Sequence, residues 1–446
     1  MNNFSRREFL RSSSIAVAGT AFAAPFINGC ATTPKTPSDI VLHASIGAGG
    51  QANSDIGQLT AHKRLKLVAV ADVDLNKAAK LKERFPDLRI YQDWRVLLEK
   101  EKSIHSINVS TPDHMHGPIG MSAMHLGKHV YIQKPLAHDI YEVRKLTEFA
   151  AKKKLVTQMG IQIHSASDYR RAVKIIQDGA IGKIKEVHTW CGKGWGDLSA
   201  LPDRRDVPPA GFDWNQWIGV AADRPFIGDG YYHPGNWRKR LDFGTGTFGD
   251  MGCHIFDPVF NALQLTAPLT VRSEGKAPNQ WNWATDAIVH YVFPGTQQTE
   301  GKTINVSWYD GESLPPAEVL ALIGEEKRPG CGSIFIGTKG VMLLPHINRP
   351  RLFPEAKFEE YPMPKVEDGN HYHLFVDAVL GGAETSANFN YAGPLTESVL
   401  LGSVACRFPK TTMDWDAKNL RFTNVADANQ FLRRKYRKGW EVKGLS

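Results

Sequence analysis

Cysteine is scarce and unpatterned in this chain. Five occur in 446 residues, Cys30, Cys191, Cys253, Cys331 and Cys406. No two stand as C-x-x-C or at Cys/His ligand spacing, which excludes zinc-ribbon and dithiol redox motifs. Buried thiols are the default expectation, with a disulfide among the last four left open. A Lys/Arg block that would track phosphates is also missing. The formal charge of +8 is spread along the chain, so it reads as a mildly basic surface, with no nucleic acid as partner. No apolar run is long enough to form a stable membrane-spanning helix. There is no internal repeat. Hydrophobic content of 42% and charged content of 22% describe a globular protein, and its length favours two domains.

The N-terminus has the shape of an export signal. Ser5-Arg6-Arg7-Glu8-Phe9-Leu10 precedes an apolar, small-residue run from Ile15 to Ala24, and paired arginines mark the twin-arginine route. Ile27-Asn28-Gly29-Cys30 resembles a lipobox, and residues 31–38 (ATTPKTPS) resemble a tether. Residues 1–38 are therefore expected to be signal and tether, with either a lipid on Cys30 or simple cleavage after Ala23. The mature protein is expected in the periplasm.

The stretch from Ile40 to Asp74 carries the first functional signal. An apolar run leads into Gly47-Ala48-Gly49-Gly50-Gln51-Ala52, which fits G-x-G-x-x-G/A. A helix-like segment follows, then a second apolar run, Leu65 to Ala71, ending in Asp72. Glycines let a backbone turn tightly against a pyrophosphate, and a helix N-terminus offers free N–H groups and a positive dipole end. An acidic residue at the end of the second strand accepts the ribose hydroxyls of NAD. Asp72 favours NAD over NADP, because a carboxylate repels a 2′-phosphate.

Alternation continues beyond Asp74. Helices are expected at 76–85, 94–100, 118–126 and 140–153, and strands at 106–109, 129–132 and 155–159. That order predicts a parallel, doubly wound sheet, a dinucleotide-binding domain over residues 39–162. Residues 163–446 differ in texture. A stretch from Trp195 to Lys239 is rich in Trp, Pro, Gly and Asp, as loops are. Short β-like segments follow at 269–271, 287–293, 303–308, 333–336 and 341–344. They predict an α+β domain on a mostly antiparallel sheet.

Two places can carry chemistry. Lys134 stands at the end of an expected parallel strand, where α/β sheets bind ligands, and its ammonium can hydrogen-bond a hydroxyl. A lone Lys before Pro is also often a surface residue. On a helix, Asp250, His254 and Asp257 share one narrow face at i, i+4 and i+7. A His braced by carboxylates can serve as general acid–base. The same spacing can hold a divalent ion, or merely complement the helix dipole; no metal ligand set is assigned. Gly246, Gly249 and Gly252 lie beside that face and allow close approach.

Taken in order, Gly47–Ala52, Asp72, Thr111-Pro112 with His116, Gln133-Lys134-Pro135 and Asp250-x-x-x-His254 resemble the glucose–fructose oxidoreductase / inositol dehydrogenase / rhizopine-catabolism (Gfo/Idh/MocA) family. Residues 212–219 (FDWNQWIG) and 436–440 (YRKGW) resemble its secreted bacterial branch. The resemblance implies a Rossmann domain followed by an open-faced antiparallel sheet used for substrate and for homo-oligomer contacts. It also implies a catalytic set of Lys134, Asp250 and His254. Gly47, Gly49, Gly50, Gln51, Ala52, Asp72, Ser110, Thr111, Pro112, His116, Gln133 and Lys134 would then hold the cofactor. The family usually has Glu where this chain has Gln133, which can hydrogen-bond but brings no charge. Aromatic and basic residues of the Trp-rich loop, Trp195, Tyr231, Tyr232, Trp237 and Arg238, are the expected substrate contacts, although packing is an equal alternative for each.

The resulting expectation is an exported NAD-dependent oxidoreductase acting on a secondary hydroxyl of a sugar or glycoside. Free NAD is scarce outside the cytoplasm, so a tightly held cofactor must be reset within the site. One route gives sugar–sugar oxidoreduction; another returns the hydride to the same substrate, which makes an NAD-dependent glycoside hydrolase. A non-catalytic sugar-binding protein with a retained dinucleotide core is the reading from a different class.

Overall fold

Six parallel strands form the first sheet: β1 (Val41–Ile46), β2 (Leu65–Ala71), β3 (Arg89–Tyr91), β4 (Ser106–Val109), β5 (His129–Gln133) and β6 (Thr157–Gly160). Their spatial order is β3-β2-β1-β4-β5-β6, all in parallel register. Apolar runs without alternation make these strands, since helices cover both faces. The order reverses direction between β1 and β4, and ligands bind outside the carboxyl ends of the strands at such a point. The structure, a computed structural model, describes residues 39–324 and 328–446. The expected signal, tether and Cys30 lie outside the described residues.

The second sheet has nine strands: β7 (Ile184–Cys191), β8 (Thr270–Ser273), β9 (Ile288–Pro294), β10 (Thr303–Asp310), β11 (Cys331–Gly337), β12 (Val341–Pro345), β13 (Arg351–Phe353), β14 (Met413–Asp416) and β15 (Arg421–Phe422). The order is β13-β12-β11-β7-β10-β9-β8-β14-β15. Every pairing is antiparallel except β7 with β10. Alternation is clearest in β9, where Val289, Tyr291 and Phe293 are buried and their neighbours half-buried. That face packs on two helices, Gly246–Ile255 and Phe389–Ala405; Phe248 of the first stacks on Trp308 of β10 at 4.7 Å. The opposite face is partly covered by a smaller cluster of Trp190, Tyr309, Val319, Ile323 and Ile334.

The Phe389–Ala405 helix also reaches the first sheet. Phe389 N donates to Thr157 Oγ1 at 3.0 Å, and Arg144 forms a two-pronged pair with Glu397 at 2.6 and 2.7 Å. Gly252 makes the close helix crossing feasible, because a Cβ there would lie 2.6 Å from Phe248 and 3.0 Å from Val399. Cys191 and Cys331 form a disulfide between paired residues of β7 and β11. Cys253 and Cys406 are buried free thiols. Among the described residues no helix is long and apolar enough to cross a membrane.

Candidate functional site

A cleft of about 300 Å³ opens at the carboxyl ends of β1, β4 and β5. Its lining includes Gly47, Gly49, Gly50, Gln51, Asp72, Ser110, Thr111, Pro112, His116, Gln133 and Lys134. The expected cofactor residues are thus brought together, with Ala52 packed behind Gly47 rather than lining the cleft. Gly47 has φ +108°, and a Cβ there would fall 2.7 Å from the Ser110 carbonyl oxygen. Gly50 ends the turn at φ +51° with open space beside it, and no side chain caps the Gln51–Thr60 helix that follows. Such an uncapped helix start is ready for a diphosphate.

Asp72 ties this loop together. Its Oδ2 accepts from Ala48 N at 2.7 Å, and its Oδ1 from Asp74 N at 2.9 Å. Each oxygen has a further lone pair for a ribose hydroxyl. The glycine turn, the bare helix start and this carboxylate fit a dinucleotide. His116 braces the far wall: its ring nitrogens lie 2.7 Å from the Pro135 carbonyl and 2.8 Å from that of Thr111. It therefore straps the turn after β4 to the turn that carries Lys134. Burial lowers its pKa, against the nearby Asp113 charge, and the neutral ring can donate to only one of the two carbonyls at a time.

At the end of the cleft Lys134 Nζ donates to Asp250 Oδ1 at 2.5 Å and to the Asp250 carbonyl at 2.9 Å. Asp250 also receives Trp195 Nε1 at 2.9 Å and Arg238 Nε at 3.2 Å, with Lys193 Nζ at 3.7 Å. Burial alone would raise the Asp250 pKa, but the Lys134 and Arg238 charges reverse this and hold it well below the usual carboxylate range. Asp113 sets the approach of the two halves. Its Oδ2 accepts from Thr245 N and Oγ1, at 3.1 and 2.7 Å, just before the helix that carries Asp250.

His254 departs from the expected picture. It stands one turn beyond Asp250 and lines a separate cavity of about 140 Å³ with Asp168, Tyr169, His346 and Asn348. Its ring lies 5.3 Å from that of His346, and its buried Nδ1 has no hydrogen-bond partner. Burial, then the Lys134 and His346 charges, push its pKa far down. Asp257 does not share its face, because the helix ends at Ile255 and a new one starts at Asp257. The Asp257 carboxylate is taken up by His164 at 2.9 Å, Tyr169 at 2.8 Å and Tyr391 at 2.5 Å. Among the described residues neither carboxylate therefore hydrogen-bonds His254, since Asp250 is taken up by Lys134, Trp195 and Arg238.

Of the expected substrate contacts, Trp237 and Arg238 line the cleft, whereas Trp195 does not and is linked to it only through Asp250 and Lys134. Tyr231 and Tyr232 do not line it. Tyr232 is buried among Trp214, Trp217 and Phe243, and the Tyr231 ring is covered by Arg240 at 3.6 Å; both are packing. Sequence reading missed Lys77, whose side chain lies across Gly49 and meets His233 Nε2. It also missed Lys193 and His346. Nothing in their local sequence distinguishes these from surface residues; only the fold brings them in.

These features define a dinucleotide-binding oxidoreductase fold. Residues 42–161 match the model for the NAD-binding Rossmann fold of the oxidoreductase family, and residues 170–442 match its C-terminal alpha/beta domain. The chain belongs to the Gfo/Idh/MocA family and carries its NAD-binding Rossmann fold. Levoglucosan dehydrogenase of Pseudarthrobacter phenanthrenivorans is 26% identical over 43% of this chain and 40% of its own length. Alpha-N-acetylgalactosaminidase of Shewanella oneidensis is 24% identical over 41% of this chain and 45% of its own. The matches thus span less than half of these curated relatives. Among solved structures, the WlbA dehydrogenase of Chromobacterium violaceum, in complex with NADH and UDP-GlcNAcA, superposes with TM-score 0.62 at 15% identity, covering 87% of this chain and 99% of that one. GenD2 from gentamicin A biosynthesis, in complex with NAD, gives 0.58 at 17% identity, covering 85% and 97%.

Proposed function

We propose that this protein is an exported NAD-dependent oxidoreductase that takes hydride from a carbon bearing a secondary hydroxyl of a sugar or glycoside. The observation that carries the reading is the Lys134–Asp250 pair at the end of the dinucleotide cleft. NAD, when bound, supplies the hydride acceptor. The Lys134 ammonium donates to the substrate oxygen and stabilises the charge that develops there. Asp250, held ionised by its cationic neighbours, orients Lys134. His254, kept neutral by burial, lines the neighbouring cavity one turn beyond Asp250, and its role as acceptor of the hydroxyl proton rests on the family resemblance. Trp195, Trp237 and Arg238 are assigned to the sugar, with an aromatic face and a guanidinium suited to ring and hydroxyl groups.

Export is supported by the twin-arginine pattern and by the Cys191–Cys331 disulfide, since disulfides persist in oxidising compartments. Lipid attachment at Cys30 and homo-oligomer formation through the second sheet belong to the same reading. A second reading, a glycoside hydrolase, is favoured by the similarity to an alpha-N-acetylgalactosaminidase. In that cycle oxidation at C3 acidifies the C2 proton, the aglycone leaves by elimination, water adds, and the hydride returns to C3. The balance is net hydrolysis with no net redox change.

Product analysis separates them. Incubation with chromogenic glycosides yields a keto-sugar and stoichiometric reduced cofactor from the oxidoreductase. The hydrolase yields free aglycone and reducing sugar without net cofactor reduction. Neither product from a broad glycoside panel, with sugar binding intact, would instead identify a binding protein.

A further inference from the structure

Asp55 falls where the helix pattern calls for an apolar residue. On the Gln51–Thr60 helix it shares the inward stripe with Ala52, Ile56 and Leu59 and is fully buried, a costly place for an unpaired charge. Among the described residues it makes no ion pair. Four side chains donate to it instead. Oδ1 accepts from Gln51 Nε2 at 2.8 Å, Gln133 Nε2 at 3.0 Å and Tyr372 OH at 2.8 Å. Oδ2 accepts from Ser110 OH at 2.6 Å and again from Gln133 Nε2 at 2.9 Å.

The donors' own partners fix the direction of these bonds. Asn108 Nδ2 donates to Ser110 Oγ at 2.8 Å, which turns the Ser110 hydrogen towards Asp55. Asn108 Oδ1 can only accept, so His43 Nε2, 3.0 Å away, carries the ring proton and His43 Nδ1 accepts from Ser106 at 2.8 Å. Burial lowers the His43 pKa to about 4, which keeps the ring neutral as this order requires. A one-way chain of donors crosses the sheet and ends with Asp55 Oδ2 as the acceptor. Burial raises the Asp55 pKa overall, with the Ser110, Gln51, Gln133 and Tyr372 donors working against it; it is the geometry, in which every side-chain contact to its oxygens is a donor, that assigns the carboxylate form.

Three of the four donors, Gln51, Ser110 and Gln133, also line the dinucleotide cleft, and Gln133 directly precedes Lys134. Room for the Gln133 carboxamide comes from Gly160, where a Cβ would sit 2.7 Å from it. We propose that Asp55 is a positioning residue of the cofactor site that fixes Gln51, Ser110 and Gln133 along its floor and supplies there a buried negative charge with no protein cation, which favours the positively charged oxidised nicotinamide over the reduced one. Gln133 is neutral because its amide must donate to both Asp55 oxygens; a carboxylate in its place would face another at hydrogen-bond distance.

The test uses three variants of the full protein, Asp55→Asn, Gln133→Glu and the double variant. Dissociation constants for NAD⁺ and NADH are measured without sugar, so the outcome is independent of any substrate assignment, and melting temperature is recorded alongside. Asp55→Asn is expected to shift the NAD⁺/NADH affinity ratio about tenfold towards NADH, the scale of one buried charge acting at several ångströms. Gln133→Glu alone is expected to weaken both nucleotides and lower the melting temperature. The double variant, with one carboxylate and one amide exchanged, is expected to return the ratio to within about threefold of wild type, the signature of direct coupling. An unchanged ratio in folded Asp55→Asn would overturn the proposal. If Asp55→Asn does not fold, the double variant decides: recovery supports the charge role, and behaviour no better than Gln133→Glu overturns it.

Discussion

Lys134 and Asp250 meet across 116 residues of sequence, Nζ to Oδ1 at 2.5 Å, where the first sheet ends and the helix beneath the second begins. The pair joins the NAD-binding Rossmann domain to the C-terminal alpha/beta domain. Neither half contains the site alone.

Lys134→Ala is expected to lower kcat by about 10²- to 10⁴-fold, the usual scale for losing a positioned proton donor, while NAD binding stays within a few-fold of wild type. Asp250→Asn removes the charge that faces Lys134 and Arg238 and turns one of the two oxygens shared by Lys134, Arg238 and Trp195 into an amide donor. It is expected to lower kcat as severely and to reduce stability by about 3 kcal/mol, since a partly buried ion pair loses one member. Steady-state kinetics and denaturant titration read both. Wild-type turnover in Lys134→Ala would remove it from the mechanism.

Gly47→Ala must place a Cβ 2.7 Å from the Ser110 carbonyl at a φ of +108°. The expected result is loss of NAD affinity by at least about tenfold, with a stability cost of about 1–3 kcal/mol for the strained backbone. Calorimetric titration with NAD checks it. Gly50→Ala meets no neighbouring atom and carries only the strain of its φ of +51°.

His346 gives a pH dependence with a definite sign. Burial, then the Lys193 and Lys134 charges, lower its pKa from 6.5 to about 4; the neighbouring His254 ring faces it as well. The unfolded chain therefore binds a proton between pH 6.5 and about 4 that the folded chain refuses, so this residue destabilises the fold as pH falls through that window. His346→Leu is expected to lose stability less steeply than wild type between pH 7 and pH 4.5. Parallel melting curves across that range would contradict the assignment.

The Cys191–Cys331 bridge closes a sequence separation of 140 residues. Its reduction, or Cys331→Ser, is expected to cost about 2–4 kcal/mol, read as a lowered melting temperature. Cys253→Ala should not alter the response to reductant, because that thiol is buried and unbridged.

Sequence periodicity located the parallel sheet well, because strand, glycine turn, helix and acidic strand end are local features. Trp94–Lys100, Ser106–Val109 and Ile140–Lys153 fall at the expected residues. The Phe389–Ala405 helix was not legible: Gly393, Pro394 and Gly402 interrupt its pattern, and it is buried nearly all round, so it shows no polar face. Residues of the site that sequence revealed stand in short motifs. Those it missed, Asp55, Lys77, Lys193 and His346, gain their roles from contacts made far along the chain. The helical face expected for Asp250, His254 and Asp257 failed at one joint, the break between Ile255 and Asp257.

The most direct test is to purify the protein without added nucleotide, supply NAD, and follow reduced-nicotinamide absorbance while sugars and glycosides are added. The account predicts reduction or aglycone release in the wild type and neither in Lys134→Ala, with NAD bound by both. Failure of the wild-type protein to bind NAD, or equal turnover in the two proteins, would contradict it.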